Sequence, residues 1–454
     1  MQNKDLTQGK IFSTLLRLSV PIAGAQVIQM AYNLTDMFWL GRVSGDAVAA
    51  AGAAGMFMWL AVGLLMVGRI GAEVGVAQAR GRGENAVAYD YSRAAIFIAF
   101  GLGVLYGAFL FVFRDILVGF LDFYETHVAT DTVAYMAVIA FGMPAMYVSA
   151  AITGTFVSSG NARTPFLING GGLVFNMLIT PIFIFVLDLG VIGAAASSSI
   201  AKIAVMIVSL IAIKRFKSRP FDEYHFFDSG KIYNNVKAIF KMAWPVSLEN
   251  TVWPLFTLAV TRIEIGFGSS ALAMSRVAIQ VESLSWLVGA GFGAALTAFV
   301  GQNFGAGRFD RISKGVRYSV GVLIVWGAIV SVILWFGGGI IFQVFLPHYA
   351  INIEMRSLFI TYLRMLAITQ IFANMEYVGS NAFRGIGHTL PPSVVSISSN
   401  IIRVPLAFAL SLTGLGILGV WGAVAFTSAL RGIGSCTWYY FKNRRDNKNS
   451  MVVD

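Results

Sequence analysis

Asp36 is the only Asp, Glu, Lys, Arg or His between Arg17 and Arg42, in a run that is otherwise apolar or neutral. If this run is a helix crossing a bilayer, it holds a carboxylate where an ionised group costs about 2.5–3.5 kcal/mol. No basic residue lies one turn before it, Arg42 is nearer the end of the run, and Asn33 is a polar neighbour. A lone buried carboxylate can take up a proton or hold a cation. Either event changes its charge, and that change can be coupled to movement of the helix. The second half places four more acids within apolar runs, Glu249, Glu264, Glu282 and Glu376, alongside Arg262, Arg276, Arg364 and Arg403. Opposite charges in such a setting usually pair and fix packing. Glu264 and Glu376 are therefore expected to be structural. Glu282 is either functional or paired with Arg276 or another arginine. Glu249 lies four residues after Pro245, in Ser247-Leu-Glu-Asn250, and its sequence neighbours are apolar or neutral, which makes it a candidate for function.

The elements that must position these groups are long apolar helices. The chain has 454 residues, 57% of them hydrophobic and 12% charged, with a mean hydropathy of +0.73. A soluble domain carries about 25% charged residues, so the composition points to a membrane protein. Apolar runs near the ~20 residues needed to span a bilayer recur along the whole length. About twelve spans are expected, at 12–40, 47–79, 90–113, 131–157, 164–187 and 191–214, then 237–265, 270–301, 313–346, 353–383, 392–413 and 416–441. The fold class is thus all-α and polytopic. The 48 glycines suit closely packed membrane helices. The single cysteine, Cys436, excludes an intrachain disulfide and a cysteine metal cluster, and four scattered histidines argue against a catalytic metal. The sequence contains no HExxH, nucleophile elbow or Walker A motif, so neither an enzyme nor an ATP-driven pump is expected.

The net charge of +11 lies in the connections between apolar runs, not in a patch suited to nucleic acid. Lys10 and Arg17, Arg80 and Arg82, Arg163, Lys214 to Arg219, Arg308 to Arg317, and Lys442 to Arg445 fall on one side. Asp115, Asp122, Glu125, Asp131, Asp188 and Glu354 fall on the other. The positive side is expected to face the cytoplasm, with both termini there. The chain divides into a first lobe of six helices at 1–215, a polar cytoplasmic linker at 216–235, a second six-helix lobe at 236–442 and a tail at 443–454.

The two lobes echo one another. Gln78-Ala-Arg-Gly81-Arg-Gly83 returns as Gln302-Asn-Phe-Gly305-Ala-Gly307, and Pro21 returns as Pro245. Ser159-Gly-Asn-Ala-Arg-Thr-Pro165 is similar to Gly385-Ile-Gly-His-Thr-Leu-Pro-Pro392, and Gly190-Val-Ile-Gly193 to Gly416-Ile-Leu-Gly419. Six helices per half give both halves the same orientation, so a pseudo-twofold axis along the membrane normal is expected, with a midplane cleft between the lobes. That is the plan of a transporter.

These motifs also carry a resemblance to a family. Val300-Gly-Gln-Asn-Phe-Gly-Ala-Gly-Arg308, Gln280-Val-Glu-Ser283, Arg384-Gly-Ile-Gly-His-Thr389 and Asn33-Leu-Thr-Asp-Met37 together resemble the multidrug and toxic compound extrusion (MATE) transporters over essentially the whole chain. The resemblance implies a bacterial inner-membrane antiporter that exports organic, often cationic, compounds in exchange for protons or sodium ions. It also implies an ion site in the first lobe, at Asp36, Asn176, Thr180 and Ser198. Asn176 and Thr180 share a helix face, and all four residues offer the oxygens that hard cations prefer. Some members of the family have a second carboxylate where this chain has Thr180. That departure should weaken a sodium ion at Asp36 or leave Asp36 as a proton carrier. In the second lobe the resemblance makes Glu249 and Glu282 candidates for cation or substrate binding.

Met30, Phe38, Met56, Met58, Trp59, Trp253 and Trp286 lie on helices expected to line the cleft, where flexible sulfur and aromatic faces suit flat cations. Pro21, Pro144, Pro181 and Pro245 can each bend a helix. Pro21 shares its helix with Asp36, so protonation of Asp36 is expected to change that bend. The expected partners are small organic cations or drugs and membrane lipids, with no nucleic acid. A monomer without a cofactor beyond its coupling ion, H+ or Na+, is expected. The competing reading is a flippase for a lipid-linked or polyanionic precursor, which would need the second-lobe arginines unpaired and facing the cleft.

Overall fold

The computed structural model describes residues 5–121, 126–214, 232–347 and 352–450. The expected linker at 216–235 lies almost entirely outside these residues, and the tail at 443–454 lies partly outside. The described residues form twelve long helices and no strand. They are α1 Ile11–Leu40, α2 Gly45–Gly81, α3 Asn85–Gly119, α4 His127–Ser158, α5 Arg163–Val186 and α6 Gly190–Lys214. The second set is α7 Ile232–Ile265, α8 Ser269–Gly305, α9 Phe309–Phe345, α10 Ile353–Gly385, α11 Leu390–Ser411 and α12 Ile417–Lys442. Eleven of these are long and apolar enough to cross a membrane. The exception is α7, where Lys237, Lys241, Glu249, Asn250, Arg262 and Glu264 interrupt the apolar run. Most helices extend beyond their apolar stretch because the polar residues flanking it continue the same turn.

Local chemistry sets the ends and the breaks. Ser44 caps α2 by accepting the Ala47 N–H at 2.9 Å, and Asn352 caps α10 by accepting the Met355 N–H at 3.0 Å. Pro181 removes a backbone donor near the end of α5, and the helix widens to a π turn at Ile182–Val186. The α2 helix holds a second π segment at Ala72–Val76. Gly83 and Gly307, the last glycines of the repeated Gln-x-x-Gly-x-Gly, both stop their helices in the left-handed region, with φ of +78 and +68.

The chain forms two units. The first comprises Met1–Gly9, Val20–Thr251 and Gly301–Gly307. Its core includes Tyr147, whose hydroxyl donates to the Ala61 carbonyl at 2.8 Å, and a buried contact of 2.9 Å between the hydroxyls of Ser92 and Thr155. The second comprises Lys10–Ser19, Val252–Val300 and Arg308–Asp454. There Trp421 stacks on Tyr362 with ring centroids 4.2 Å apart. Lipid tails are as apolar as the side chains, so close backbone approach and polar contacts, more than hydrophobicity, hold such helices together.

Within the first unit the two copies of the repeat meet. A Cβ on Gly81 would lie 2.0 Å from the Gln302 carbonyl oxygen, and one on Gly305 would lie 2.1 Å from the Gln78 carbonyl oxygen. The contact is reciprocal, the glycine of each motif sitting against the glutamine backbone of the other. The Gln302 side chain donates to the Ser158 carbonyl at 2.6 Å and accepts the Leu6 N–H at 2.9 Å, and Asn303 donates to the Leu6 carbonyl at 3.2 Å. Both clashing atoms are backbone, which cannot swing aside. Gly81→Ala and Gly305→Ala are each expected to cost about 1–3 kcal/mol, read as a lower melting temperature in detergent. Gly101→Ala, where a Cβ meets open space, is expected to leave the melting temperature unchanged.

Candidate ion site

Asp36 lies on the last turns of α1, which faces α5 and α6 in the first unit. Glycines make the approach close: a Cβ on Gly24 would lie 2.8 Å from Phe166, and one on Gly170 would lie 3.3 Å from Ile28. The α6 helix contributes Ser197 and Ser198, both fully buried. Ser198 donates its hydroxyl to Asp36 Oδ2 at 2.9 Å. Asn176 of α5, also fully buried, donates through Nδ2 to Ser198 Oγ at 3.5 Å. Thr180, one turn on, donates to the Asn176 carbonyl at 2.8 Å and lies 3.0 Å from Ser197 Oγ. Asp36, Ser198 and Asn176 thus form one chain of contacts, with Thr180 joined through the Asn176 backbone.

Two oxygens in this cluster stand out. Asp36 Oδ1 and Asn176 Oδ1 are both buried and have no hydrogen-bond partner among the described residues. A buried acceptor left unsatisfied costs about 1–3 kcal/mol, and a proton or a hard cation would remove that cost. The donor set is all oxygen, which fits sodium better than a soft metal. No group of three His, Cys, Asp or Glu able to hold a metal occurs among the described residues.

The neighbours of Asp36 include residues that sequence reasoning did not single out. Tyr32, one turn earlier on α1, donates its hydroxyl to the Ser198 carbonyl at 3.4 Å. Tyr135 of α4 is buried and within electrostatic reach of Asp36. Lys202, one turn after Ser198 on α6, is half-buried and within electrostatic reach of Asp36. The available signal was a lysine in the middle of the apolar run at 191–214, whose other charged residue, Lys214, ends it.

The aromatic and methionine candidates are dispersed. Phe38 is exposed and lies under the Arg42 guanidinium, 3.6 Å from ring centroid to Cζ. Met56 and Trp59 of α2 are also exposed, while Met30 and Met58 are half-buried. Trp253 and Trp286 belong to the second unit and are half-buried, Trp286 beside Glu282.

Of the second-half acids, Glu249 is half-buried and belongs to the first unit. Glu282, buried in the second unit, accepts from Gln370 Nε2 at 3.0 Å and lies within electrostatic reach of Arg403 and Arg431. Arg276 instead donates to Thr261 Oγ1 at 3.4 Å. Glu264 accepts from Ser275 Oγ at 2.9 Å, and Ser275 accepts from Trp421 Nε1 at 2.8 Å. Glu376 pairs with Arg431 at 3.4 Å. Arg403 donates to the hydroxyls of Thr427 at 2.8 Å and Ser428 at 3.1 Å, and Arg364 lies over Trp335. One further ion pair, Arg69 with Glu73 at 2.8 Å, joins successive turns where α2 enters its π segment. Sequence reasoning did not single it out.

The profile of the MatE family matches residues 21–182 and 245–409. The chain is 26% identical over 436 residues to the probable multidrug resistance protein NorM of Thermotoga maritima, covering 93% of this chain and 91% of the relative. It is 26% identical over 420 residues to the probable multidrug resistance protein YoeA of Bacillus subtilis, covering 88% of each. A crystal structure of a Vibrio cholerae MATE transporter superposes with a TM-score of 0.88 at 18% identity, covering 96% of this chain and 97% of that one.

The second-unit ion pair generates a stability prediction. Arg431→Met removes the ion pair of Glu376 and is expected to lower stability by about 1–2 kcal/mol, while Glu376→Gln with Arg431→Met recovers part of the loss. Thermal melting of the two variants in detergent measures both effects.

Proposed function

This chain belongs to the MatE family of membrane transporters, and we propose that it is a secondary active multidrug antiporter coupled through Asp36. It is a multi-pass membrane protein, and its relatives are named for multidrug resistance. In this reading it resides in a bacterial inner membrane with both termini in the cytoplasm and acts as a monomer without a cofactor. It exports organic, often cationic, compounds in exchange for H+ or Na+. The observation that carries the reading is the pair of buried, unpartnered oxygens, Asp36 Oδ1 and Asn176 Oδ1, beside the Ser198–Asp36 hydrogen bond.

The coupling step follows from charge. With Asp36 ionised, its Oδ2 is held by Ser198 and its Oδ1 is available to a cation. A proton arriving from outside would neutralise the carboxylate. A sodium ion would be held by Asp36 and Asn176, with the Ser198 and Thr180 hydroxyls offering further oxygens in the same cluster. Either ion changes the net charge of the Asp36 cluster, and with it the state of the helices that carry the cluster. Ion and drug therefore bias one conformational equilibrium in opposite directions, as exchange requires. The α1 helix runs unbroken from Ile11 to Leu40 with Pro21 inside it. In our reading the change of charge at Asp36 is passed to the bend at Pro21. The halves at 1–215 and 236–442 are the bodies that alternate access. Glu249 in the first unit and Glu282 in the second are each proposed as a cation- or substrate-binding group, and Met30, Phe38, Met56 and Trp59 in the first unit and Trp253 and Trp286 in the second each as a contact for flat drugs.

The flippase reading asks for unpaired arginines in the second half. Arg403 is spent on Thr427 and Ser428, and Arg431 on Glu376, which favours the antiporter. Efflux of a fluorescent cationic dye from vesicles, driven separately by a proton and a sodium gradient, tests the proposal. Wild type is expected to respond to an imposed gradient, and Asp36→Asn to lose at least about tenfold of that rate, the scale of a 1.4 kcal/mol change. Equal rates in wild type and Asp36→Asn would remove Asp36 from the coupling step.

A further inference from the structure

We infer that Lys202 is a specificity-determining residue of the ion site, a tethered cation that keeps sodium from binding at Asp36. The inference rests on the antiport reading above and names which metal-ion chemistry the site refuses. Its geometric basis is the register of α6. Ser198 Oγ lies 2.9 Å from Asp36 Oδ2. Lys202 follows Ser198 by four residues in the same helix, so the two side chains share a face about 5–6 Å apart at Cβ. The lysine stem is half-buried, which suits an ammonium reaching towards the carboxylate from within the helix layer.

The electrostatic consequence is a matter of counting charges. The group of opposite sign within reach of Asp36 is Lys202, and the other polar neighbours, Tyr32, Ser198 and Asn176, are neutral hydrogen-bonding groups. One carboxylate and one ammonium cancel. A sodium ion entering between Asp36 Oδ1 and Asn176 Oδ1 would therefore bring a net positive charge into a low-dielectric site. It would also find only these two buried oxygens without partners, since Thr180 Oγ1 is engaged with the Asn176 carbonyl and Ser197. Thr180, the remaining member of the cluster, is a neutral hydroxyl and brings no negative charge. Lys202 and Thr180 thus act in the same direction, one adding positive charge and the other withholding negative charge.

The test is equilibrium binding of radioactive sodium to the purified full-length protein in detergent, at one fixed pH, with folding checked by dye binding. Wild type and Lys202→Arg are expected to show no saturable sodium binding up to ~0.1 M, the physiological scale of salt. Lys202→Met is expected to bind sodium at least about tenfold more tightly than wild type, and Lys202→Met with Asp36→Asn to lose that binding. Lys202→Gln provides a second neutral variant if Lys202→Met does not fold. Saturable sodium binding by wild type that Asp36→Asn abolishes would overturn the inference, as would folded neutral variants that bind no more sodium than wild type. Failure of the antiport reading registers elsewhere, as dye efflux unaffected by Asp36→Asn, so the two outcomes are separable.

Discussion

The cost of an ionisable carboxylate inside an apolar helix layer organises the first unit. Asp36 can persist there only if other elements bring it polar company without admitting bulk water. The structure does so with one donor on α6, Ser198, itself oriented by Asn176 on α5 and capped at its carbonyl by Tyr32. These helices come within reach because glycines, Gly24 on α1 and Gly170 on α5, face side chains that a Cβ would crowd. The arrangement satisfies one carboxylate oxygen and leaves the other open. Complete satisfaction would make Asp36 a structural residue like Glu376. Incomplete satisfaction gives it a reason to exchange a cation.

The same economy runs through the second unit with the opposite outcome. Glu264 and Glu376 are each met by a named donor, Ser275 and Arg431 respectively. Acids whose positions in sequence look alike thus differ in what they can do. The difference lies in the partners that folding supplies.

The helical class, the positions of most spans and the internal repeat were legible because each rests on a local property. Apolar runs report membrane helices whatever packs against them, and the left-handed φ at Gly83 and Gly307 gives the repeated glycines a backbone meaning. The meeting of Gly81 with Gln302 and of Gly305 with Gln78 was not legible, since a motif does not say what it touches. Asp36 was conspicuous as a charge in an apolar run. Its neighbours were not, because Ser198 and Asn176 are ordinary helix residues and only resemblance to a family pointed to them. Lys202 escaped notice for a physical reason: in a chain with 33 Lys and Arg, a lysine near a helix middle looks like a packing residue until Ser198, one turn before it, is seen to hold a carboxylate. The α7 helix forms where the span at 237–265 was expected, though it is not among the eleven helices long and apolar enough to cross a membrane by length and composition.

The central claim is that drug and coupling ion compete through one carboxylate. Dye added to the purified protein in weakly buffered detergent, with released protons and sodium followed by indicator and ion-selective electrode, tests that competition without a membrane gradient. The account predicts release of cation on dye binding to wild type, and dye binding without release in Asp36→Asn. Dye binding to wild type that displaces neither ion, or equal displacement in the variant, would contradict it.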